Sequence, residues 1–260
     1  MSLENLRTNI LEFVIANTTS PKRLENYSKH KDNRVKAFVA RNTKTPANVL
    51  TELAECPDKA VQYAVAENSS TPLKQLEKFY KTRNVHMLRR LAKNVSLPSW
   101  MLKELAKHKD YHIRVKVAKN PNTEVADLEY LATDLNAYVK IAVAENPNTP
   151  PHILEKLADD LNDSVRLRVA NNTNTEYEVH KKLFKDRNVN VKETAIRTAK
   201  IPEADARKLA ESQEWMVQVA LAGNPYIPED MARKYLRSQD TYIQRAARSA
   251  AAKKKKMKQM

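Results

Sequence analysis

Histidine and cysteine spacing gives the first test for metal or nucleophilic chemistry. Among six histidines, only His108 and His112 are separated by the short interval typical of metal ligands. A zinc site needs further Cys, His or carboxylate ligands, and no cysteine or carboxylate cluster beside this pair completes such a set. We therefore expect no metal and no cofactor, and interpret these histidines as solvated surface residues.

Motifs for enzymatic chemistry are also absent from the sequence. There is no Gly-x-Ser-x-Gly, no His-Glu-x-x-His and no P-loop. The single glycine, Gly223, excludes glycine-rich phosphate-binding loops. The single cysteine, Cys56, forms no intramolecular disulfide and permits a reducing compartment. We expect no catalytic residue and no enzymatic activity.

With metal and enzymatic sites excluded, the excess of basic residues is the remaining indication of function. Lys and Arg total 46 against 31 Asp and Glu, which gives a formal net charge of +15. Such an excess favours polyanionic partners without identifying one. The position of the cations along the chain then decides whether they form one surface.

A strict sequence repeat positions these cations. We take Ala40 as the anchor, the reference residue of the first full repeat. The same number of residues that separates Ala40 from Ala66 then separates each anchor from the next, without insertion or deletion. Residues 16–39 form a similar, shorter unit, so the chain holds about nine repeats. The later anchors are Ala66, Ala92, Ala118, Ala144, Ala170, Ile196, Ala222 and Arg248. Two residues after the anchors come Asn42, Asn68, Asn94, Asn120, Asn146, Asn172, Thr198 and Asn224.

The first half of each repeat predicts an amphipathic helix. In the repeat at 145–170, Thr149 is a good N-cap and Pro150 suits the first helical position. Leu154 and Leu157 then lie on one face of that helix. The pattern predicts a short first helix whose apolar face is buried.

The second half of each repeat predicts a shorter helix. Val165 and Val169 form its apolar face, and Asn172 is predicted to end it in a left-handed conformation. Helices this short are stable only when packed against neighbouring repeats. We therefore predict an all-α, right-handed superhelical solenoid of the HEAT-like type, forming one domain over residues 1–249.

The repeats ENPNTPPHILEKLADDLNDSVRLRVA and KNPNTEVADLEYLATDLNAYVKIAVA resemble the leucine-rich-repeat variant family. That resemblance covers roughly residues 14–250 and implies stacked α and 3₁₀-like helices without strands. It implies little about function, because the family is an architecture. A founding type of the family carries a cysteine-rich iron–sulfur module, but Cys56 alone cannot supply its thiolate ligands.

The second helices carry far more basic than acidic residues, and cations recur at one position. Neighbouring helices pack roughly 8–10 Å apart, so four such cations would form a row about 30 Å long that could follow a phosphate backbone. Glu67, Glu145 and Glu193 interrupt the surface. We call the row the ladder; its members are Arg114, Lys140, Arg166 and Lys192. Nearby predicted contacts are Arg89, Arg90, Lys93, Lys116, Lys119, Arg168 and Arg197.

These observations favour backbone binding of nucleic acid. Aromatic residues make up only 6% of the chain, which is few for stacking on single strands, and we expect DNA rather than RNA. A protein-interaction scaffold for an acidic partner is the alternative. A remote alternative is a helical-repeat DNA glycosylase, for which Trp100 and Trp215 would be candidate residues.

The two termini complete the prediction. The N-terminal segment 1–20 lacks the pattern of a signal peptide, and no apolar stretch is long enough to span a membrane. We therefore expect a cytoplasmic protein, whose oligomeric state the sequence leaves open. Residues 250–260, AAAKKKKMKQM, are predicted to form a disordered basic extension that raises non-specific affinity for nucleic acid or acidic lipid.

Overall fold

A computed structural model describes residues 11–259 of the chain, which are helices and connecting turns without a strand. They divide into two compact units, the first ending at Leu131 and the second beginning at Ala132. The residues 1–10 on which part of the signal-peptide argument rests lie outside this range. None of the described helices is long and apolar enough to cross a membrane.

Unit one consists of repeated helix pairs. Its second helices pack against one another in succession, α3 on α5, α5 on α7 and α7 on α9, and the first helices α4, α6 and α8 each pack on the next helix. The bounds are α1 (described over 11–16), α2 (Pro21–Ser28), α3 (Asn33–Arg41), α4 (Ala47–Ala54), α5 (Lys59–Glu67), α6 (Leu73–Lys81), α7 (Val85–Leu91), α8 (Ser99–Ala106) and α9 (Tyr111–Ala118). The next helix, α10 (Val125–Ala132), spans the boundary.

Unit two has the same organisation. Its second helices α11, α13, α15, α17 and α19 pack in succession, and α12, α14, α16 and α18 each pack on the following helix. The bounds are α11 (Ala137–Glu145), α12 (Pro151–Leu157), α13 (Asp163–Asn171), α14 (Tyr177–Leu183), α15 (Val189–Thr198), α16 (Glu203–Ala210), α17 (Trp215–Ala222), α18 (Glu229–Leu236) and α19 (Thr241–Met257).

The core lies between the paired helices, at the apolar positions of the repeat. Leu154, Val165 and Val169 are fully buried, and Leu157 is 3% exposed. Burying a side chain of this size contributes about 1.5–3 kcal/mol, which compensates for the low intrinsic stability of such short helices. Within each unit, the predicted all-α helical-repeat solenoid is confirmed.

In the repeats that carry it, the threonine has a different role from the predicted N-cap. Helix α12 begins at Pro151, and its N-cap is Pro150, which makes no side-chain capping bond. The Thr149 hydroxyl instead donates to the carbonyl of Val143, at 2.6 Å, in the preceding helix. The last carbonyls of a helix have no intrahelical partner, so the threonine caps the helix before it.

The asparagines also differ from the prediction. Asn172 has φ −78° and ψ 133°, an extended conformation rather than a left-handed one. Its Nδ2 donates to the carbonyls of Ala144 at 2.7 Å and Asn146 at 3.1 Å, both in the preceding repeat. Local preference for a left-handed turn is outweighed because the buried amide satisfies two carbonyls of the neighbouring repeat. Equivalent bonds are made by Asn42, Asn68, Asn94, Asn120 and Asn224.

One repeat replaces this asparagine with Thr198. The shorter Thr198 hydroxyl reaches the Ala170 carbonyl at 2.5 Å, and His180 Nε2 lies 3.0 Å from the same oxygen. His180 is 4% exposed. The pair substitutes for the missing amide, and burial lowers the pKa of His180.

The C-terminal helix is longer than expected. We predicted a disordered extension from Ala250, but α19 continues to Met257 and Ala250 is 6% exposed. Alanine and lysine are strong helix formers, and no glycine or proline separates this run from the amphipathic part of the helix. Elongating an existing helix needs no new nucleation.

Candidate nucleic-acid interface

The predicted cations occupy four positions of the second helices, and these positions have different surroundings. The ladder position lies four residues before the anchor, at the edge that approaches the turn of the next repeat. Arg89 lies three residues before its anchor, Ala92. The other two positions lie two residues before and one residue after the anchor. Residues at these two positions share one outward face of the helix, because they are three residues apart.

Arg166, at the centre of the ladder, is buried rather than exposed. Only 7% of its side chain is accessible, and its guanidinium makes two bonds to Asp186, at 2.7 and 2.9 Å. It also donates to Asp163 at 2.7 Å and to the Asp160 carbonyl at 2.7 Å. Despite opposing burial, the Arg166 hydrogen bond lowers the pKa of Asp186. A phosphate would have to displace these partners to reach Arg166.

The lysines of the ladder are paired in the same way. Lys140 forms an ion pair with Asp160, and both side chains are largely buried. Lys192 pairs with Glu214 at 3.0 Å. In each pair the carboxylate belongs to the next repeat, so these ladder cations stabilise repeat stacking within unit two.

Arg89 and Arg114 in unit one are also engaged. Arg89 binds Asp110 of the next repeat through two nitrogens, at 2.6 and 2.9 Å. Arg114 donates to the carbonyl of His108 at 2.7 Å. Arg89 and the ladder cations are therefore held by protein acceptors.

A second group of cations lies on the outward face of unit one. We define the basic cluster as Arg90, Lys93, Lys116 and Lys119, on α7 and α9 and the residues that follow them. Glu67 on α5 pairs with Arg90 at 2.9 Å and with Lys93 at 3.0 Å. Although burial opposes it, these hydrogen bonds lower the pKa of Glu67.

Lys116 shows the local excess of positive charge. Within the described part of the chain, no carboxylate oxygen lies at ion-pair distance from its Nζ. Partial burial, together with the charges of Lys93 and Lys119, lowers the pKa of Lys116, although Glu67 opposes this effect. The cluster therefore holds one ammonium group that would gain directly from a bound anion.

The corresponding cations of unit two are balanced by nearby carboxylates. Arg168 pairs with Glu145 at 3.0 Å, and Arg197 pairs with Glu193 at 2.9 Å. Both arginine side chains remain 46% exposed. These acidic residues are the ones that interrupt the basic surface in the sequence, and here they neutralise it.

The histidine and tryptophan candidates occupy structural positions. His108 Nδ1 accepts the amide of Asp110 at 3.0 Å, and burial lowers the pKa of His108. Trp100 packs edge-on against Tyr80. Among residues 11–259, no group of three or more His, Cys, Asp or Glu side chains is arranged to hold a metal ion.

Trp215, the other candidate of the glycosylase alternative, lies beside a carboxylate. Its indole nitrogen donates to Asp240 at 2.7 Å. Asp240 also caps α19 by accepting the amides of Tyr242 and Ile243. These bonds lower the pKa of Asp240, the indole bond having the largest effect, and its oxygens serve as a helix cap.

Sequence reasoning missed the carboxylates that bind the ladder. The same number of residues separates Lys140 from Asp160 and Arg166 from Asp186. This spacing is slightly shorter than one repeat. A recurrent cation followed by an acid near one repeat length indicates an ion pair between repeats rather than a free basic row. This spacing was the signal available in the sequence.

Comparison with known proteins supports the resemblance to a repeat family. The leucine rich repeat variant family model matches residues 138–162, which confirms the resemblance for that repeat. Among solved structures, the chain is similar to a leucine-rich repeat variant with a novel repetitive structural motif, at 20% identity, 88% coverage of this chain, 81% of that chain and TM-score 0.43. It is also similar to an engineered protein from the Northeast Structural Genomics Consortium, at 16% identity, 95% and 94% coverage and TM-score 0.37. No curated protein matches the sequence.

Proposed function

On the premise that this chain carries leucine-rich repeat variant repeats, we propose that it is a non-enzymatic scaffold that binds the DNA backbone through the basic cluster of unit one. The observation that carries the proposal is that no carboxylate of the described residues lies at ion-pair distance from Lys116, while the positive charges of Lys93, Lys119 and Arg90 act on it. A phosphate placed there would relieve repulsion among the ammonium groups.

The ladder has a different part in this proposal. Because Arg166, Lys140 and Lys192 bind carboxylates of the next repeat, they maintain the stacking of repeats within unit two. Arg168 and Arg197, half exposed and paired once each, are secondary candidates for phosphate contact. Contacts to phosphate carry no base information directly, so the scaffold is proposed to bind without sequence specificity.

The test is the salt dependence of duplex binding. We compare the wild type with Lys93→Gln/Lys116→Gln/Lys119→Gln, using fluorescence anisotropy of a random-sequence DNA duplex at several salt concentrations. Each lost phosphate contact should flatten the slope of log affinity against log salt by about 0.9. Three contacts therefore predict a decrease of about 2–3 in the slope.

A matched control removes the same charge elsewhere in unit one. Lys74, Lys78 and Lys81 on α6 are exposed, and replacing all three with Gln should leave most of the slope intact. Equal losses in the two triple variants would mean that net charge, not the cluster, determines binding. Absence of saturable duplex binding at low salt would contradict the proposal altogether.

A second candidate function is a protein-interaction scaffold. Leu135 and Leu161 occupy the same position in successive repeats, with exposures of 103% and 87%. Exposed leucines in register favour an apolar contact with another protein. The protein-interaction scaffold becomes the preferred function if the chain does not bind the DNA duplex.

A further inference from the structure

A cavity in unit two combines positive charge with an apolar wall. It lies between α19 and the turns that follow α13, α15 and α17, and has a volume of about 680 Å³. Cavities of about 300–1,000 Å³ are typical of small-molecule sites. The side chains used below are Arg197, Lys200, Lys253, Lys256, Tyr226 and Met257.

The cationic side of the cavity is largely unneutralised. Arg197 is paired with Glu193, but no carboxylate of the described residues lies at ion-pair distance from Lys200, Lys253 or Lys256. Glu176 is the acidic residue in the lining. Three ammonium groups at one cavity favour an anion with more than one negative charge.

The lining also includes two side chains that can contact a flat apolar group. Tyr226 is 37% exposed, and its loop is held because the Tyr226 amide donates to Asn224 Oδ1 at 2.7 Å. Met257, 47% exposed at the end of α19, also lines the cavity. Tyrosine and methionine both favour contact with aromatic rings.

We propose that this cavity binds a nucleoside phosphate, with the base against Tyr226 and the phosphates bound by Lys253 and Lys256. The phosphate can belong to a free nucleotide or to the 5′ end of a nucleic-acid strand, since the two share the same chemistry. The site uses none of the basic cluster, so it stands independently of the DNA-backbone proposal.

Isothermal titration calorimetry of the full chain with ADP tests this site. Lys253→Gln/Lys256→Gln should weaken ADP binding at least about tenfold, which corresponds to about 1.4 kcal/mol. The control is Lys254→Gln/Lys255→Gln, because these neighbours in the same helix line a different cavity. The control variant should change ADP affinity by less than about twofold, which is well below the tenfold loss expected for Lys253→Gln/Lys256→Gln.

Two further ligands separate the base contact from the charge. Tyr226→Ala should weaken ADP binding but leave binding of inorganic pyrophosphate unchanged, because only ADP carries a base. Tighter binding of a 5′-phosphorylated oligonucleotide than of its 5′-hydroxyl counterpart, lost in Lys253→Gln/Lys256→Gln, identifies a strand end as the ligand. Tight ADP binding without that difference identifies a free nucleotide.

The proposal is overturned by several distinct results. These are no saturable binding of ADP at millimolar concentration, equal weakening in the two lysine pairs, or pyrophosphate binding as tight as ADP with no effect of Tyr226→Ala. ADP binding should persist in Lys93→Gln/Lys116→Gln/Lys119→Gln. Failure of duplex binding and failure of nucleotide binding are therefore distinguishable.

Discussion

Replacing Arg166 with glutamine tests whether the ladder stabilises repeat stacking. Arg166 connects two repeats through Asp186, and it also binds Asp163 and the Asp160 carbonyl. Glutamine removes the positive charge and cannot reproduce the two parallel bonds to Asp186. The Asp186 carboxylate, 6% exposed, would then keep the Asn188 amide at 2.8 Å as its remaining described partner.

The expected loss of folding stability in Arg166→Gln follows from the burial of Asp186. Removing one partner of a buried ion pair typically destabilises a protein by about 3–5 kcal/mol, because the other charge is left uncompensated. Arg168, two residues along the same helix, provides the contrast: its side chain is 46% exposed and its partner Glu145 is 29% exposed. Such a surface pair contributes about 1 kcal/mol or less.

The assay is urea denaturation followed by far-ultraviolet circular dichroism, with Arg166→Gln and Arg168→Gln measured side by side. Hydrogen exchange of α13 and α15 reports whether the loss is local to the connected repeats. Arg166→Leu combined with Asp186→Leu should recover much of the lost stability, since an apolar pair leaves no buried charge. A loss under about 1 kcal/mol for Arg166→Gln, or equal losses in the two single variants, would refute the assignment of the ladder to stacking.

Three further predictions concern stability. Asn94→Ala removes a fully buried amide that bonds two carbonyls of the preceding repeat, so unfolding in urea should require about 2–4 kcal/mol less free energy; an unchanged midpoint would count against the asparagine bonds. Leu157→Ala should cost about 2–5 kcal/mol in the same assay, and a loss below half a kcal/mol would place that side chain outside the core. The third prediction concerns pH: because folding lowers the pKa of Asp186, the ionised carboxylate stabilises the folded state fully above about pH 4. This stabilisation is lost as the pH falls from there through the lower folded-state pKa. Melting temperature measured against pH should therefore fall less steeply in acid for Asp186→Asn than for the wild type.

The periodic features were predictable from the sequence, since they depend on helix geometry alone. Leu154 and Leu157 in α12, and Val165 and Val169 in α13, lie at helical spacing, and such spacing leads directly to burial of one face of each helix. The roles of Thr149 and Asn172 were not predictable from local preference. Both side chains bond carbonyls of other helices, and tertiary contacts of this kind override the conformational preference of a single residue.

The candidate site was predicted less well for a physical reason. A cation repeated at one helix position has the same sequence pattern whether it faces solvent or a carboxylate of the next repeat. Arg166 and Lys116 are both basic residues of second helices, yet the first is buried against Asp186 while the second has like charges beside it. The direction in which a helix edge faces depends on repeat stacking, which the charge pattern does not specify.

The asparagine bonds have a consequence for how chains of this type change length. Asn94 donates to carbonyls of the repeat before it, and its own carbonyl accepts the amide of Asn120 in the repeat after it. Every repeat in such a series offers its neighbours the same donor and the same acceptor. A gene rearrangement that deletes or duplicates one whole repeat would bring matching partners together at the junction, whereas a change of any other size would not. The bonding pattern thus makes whole-repeat gain and loss the evolutionary step that folding tolerates best.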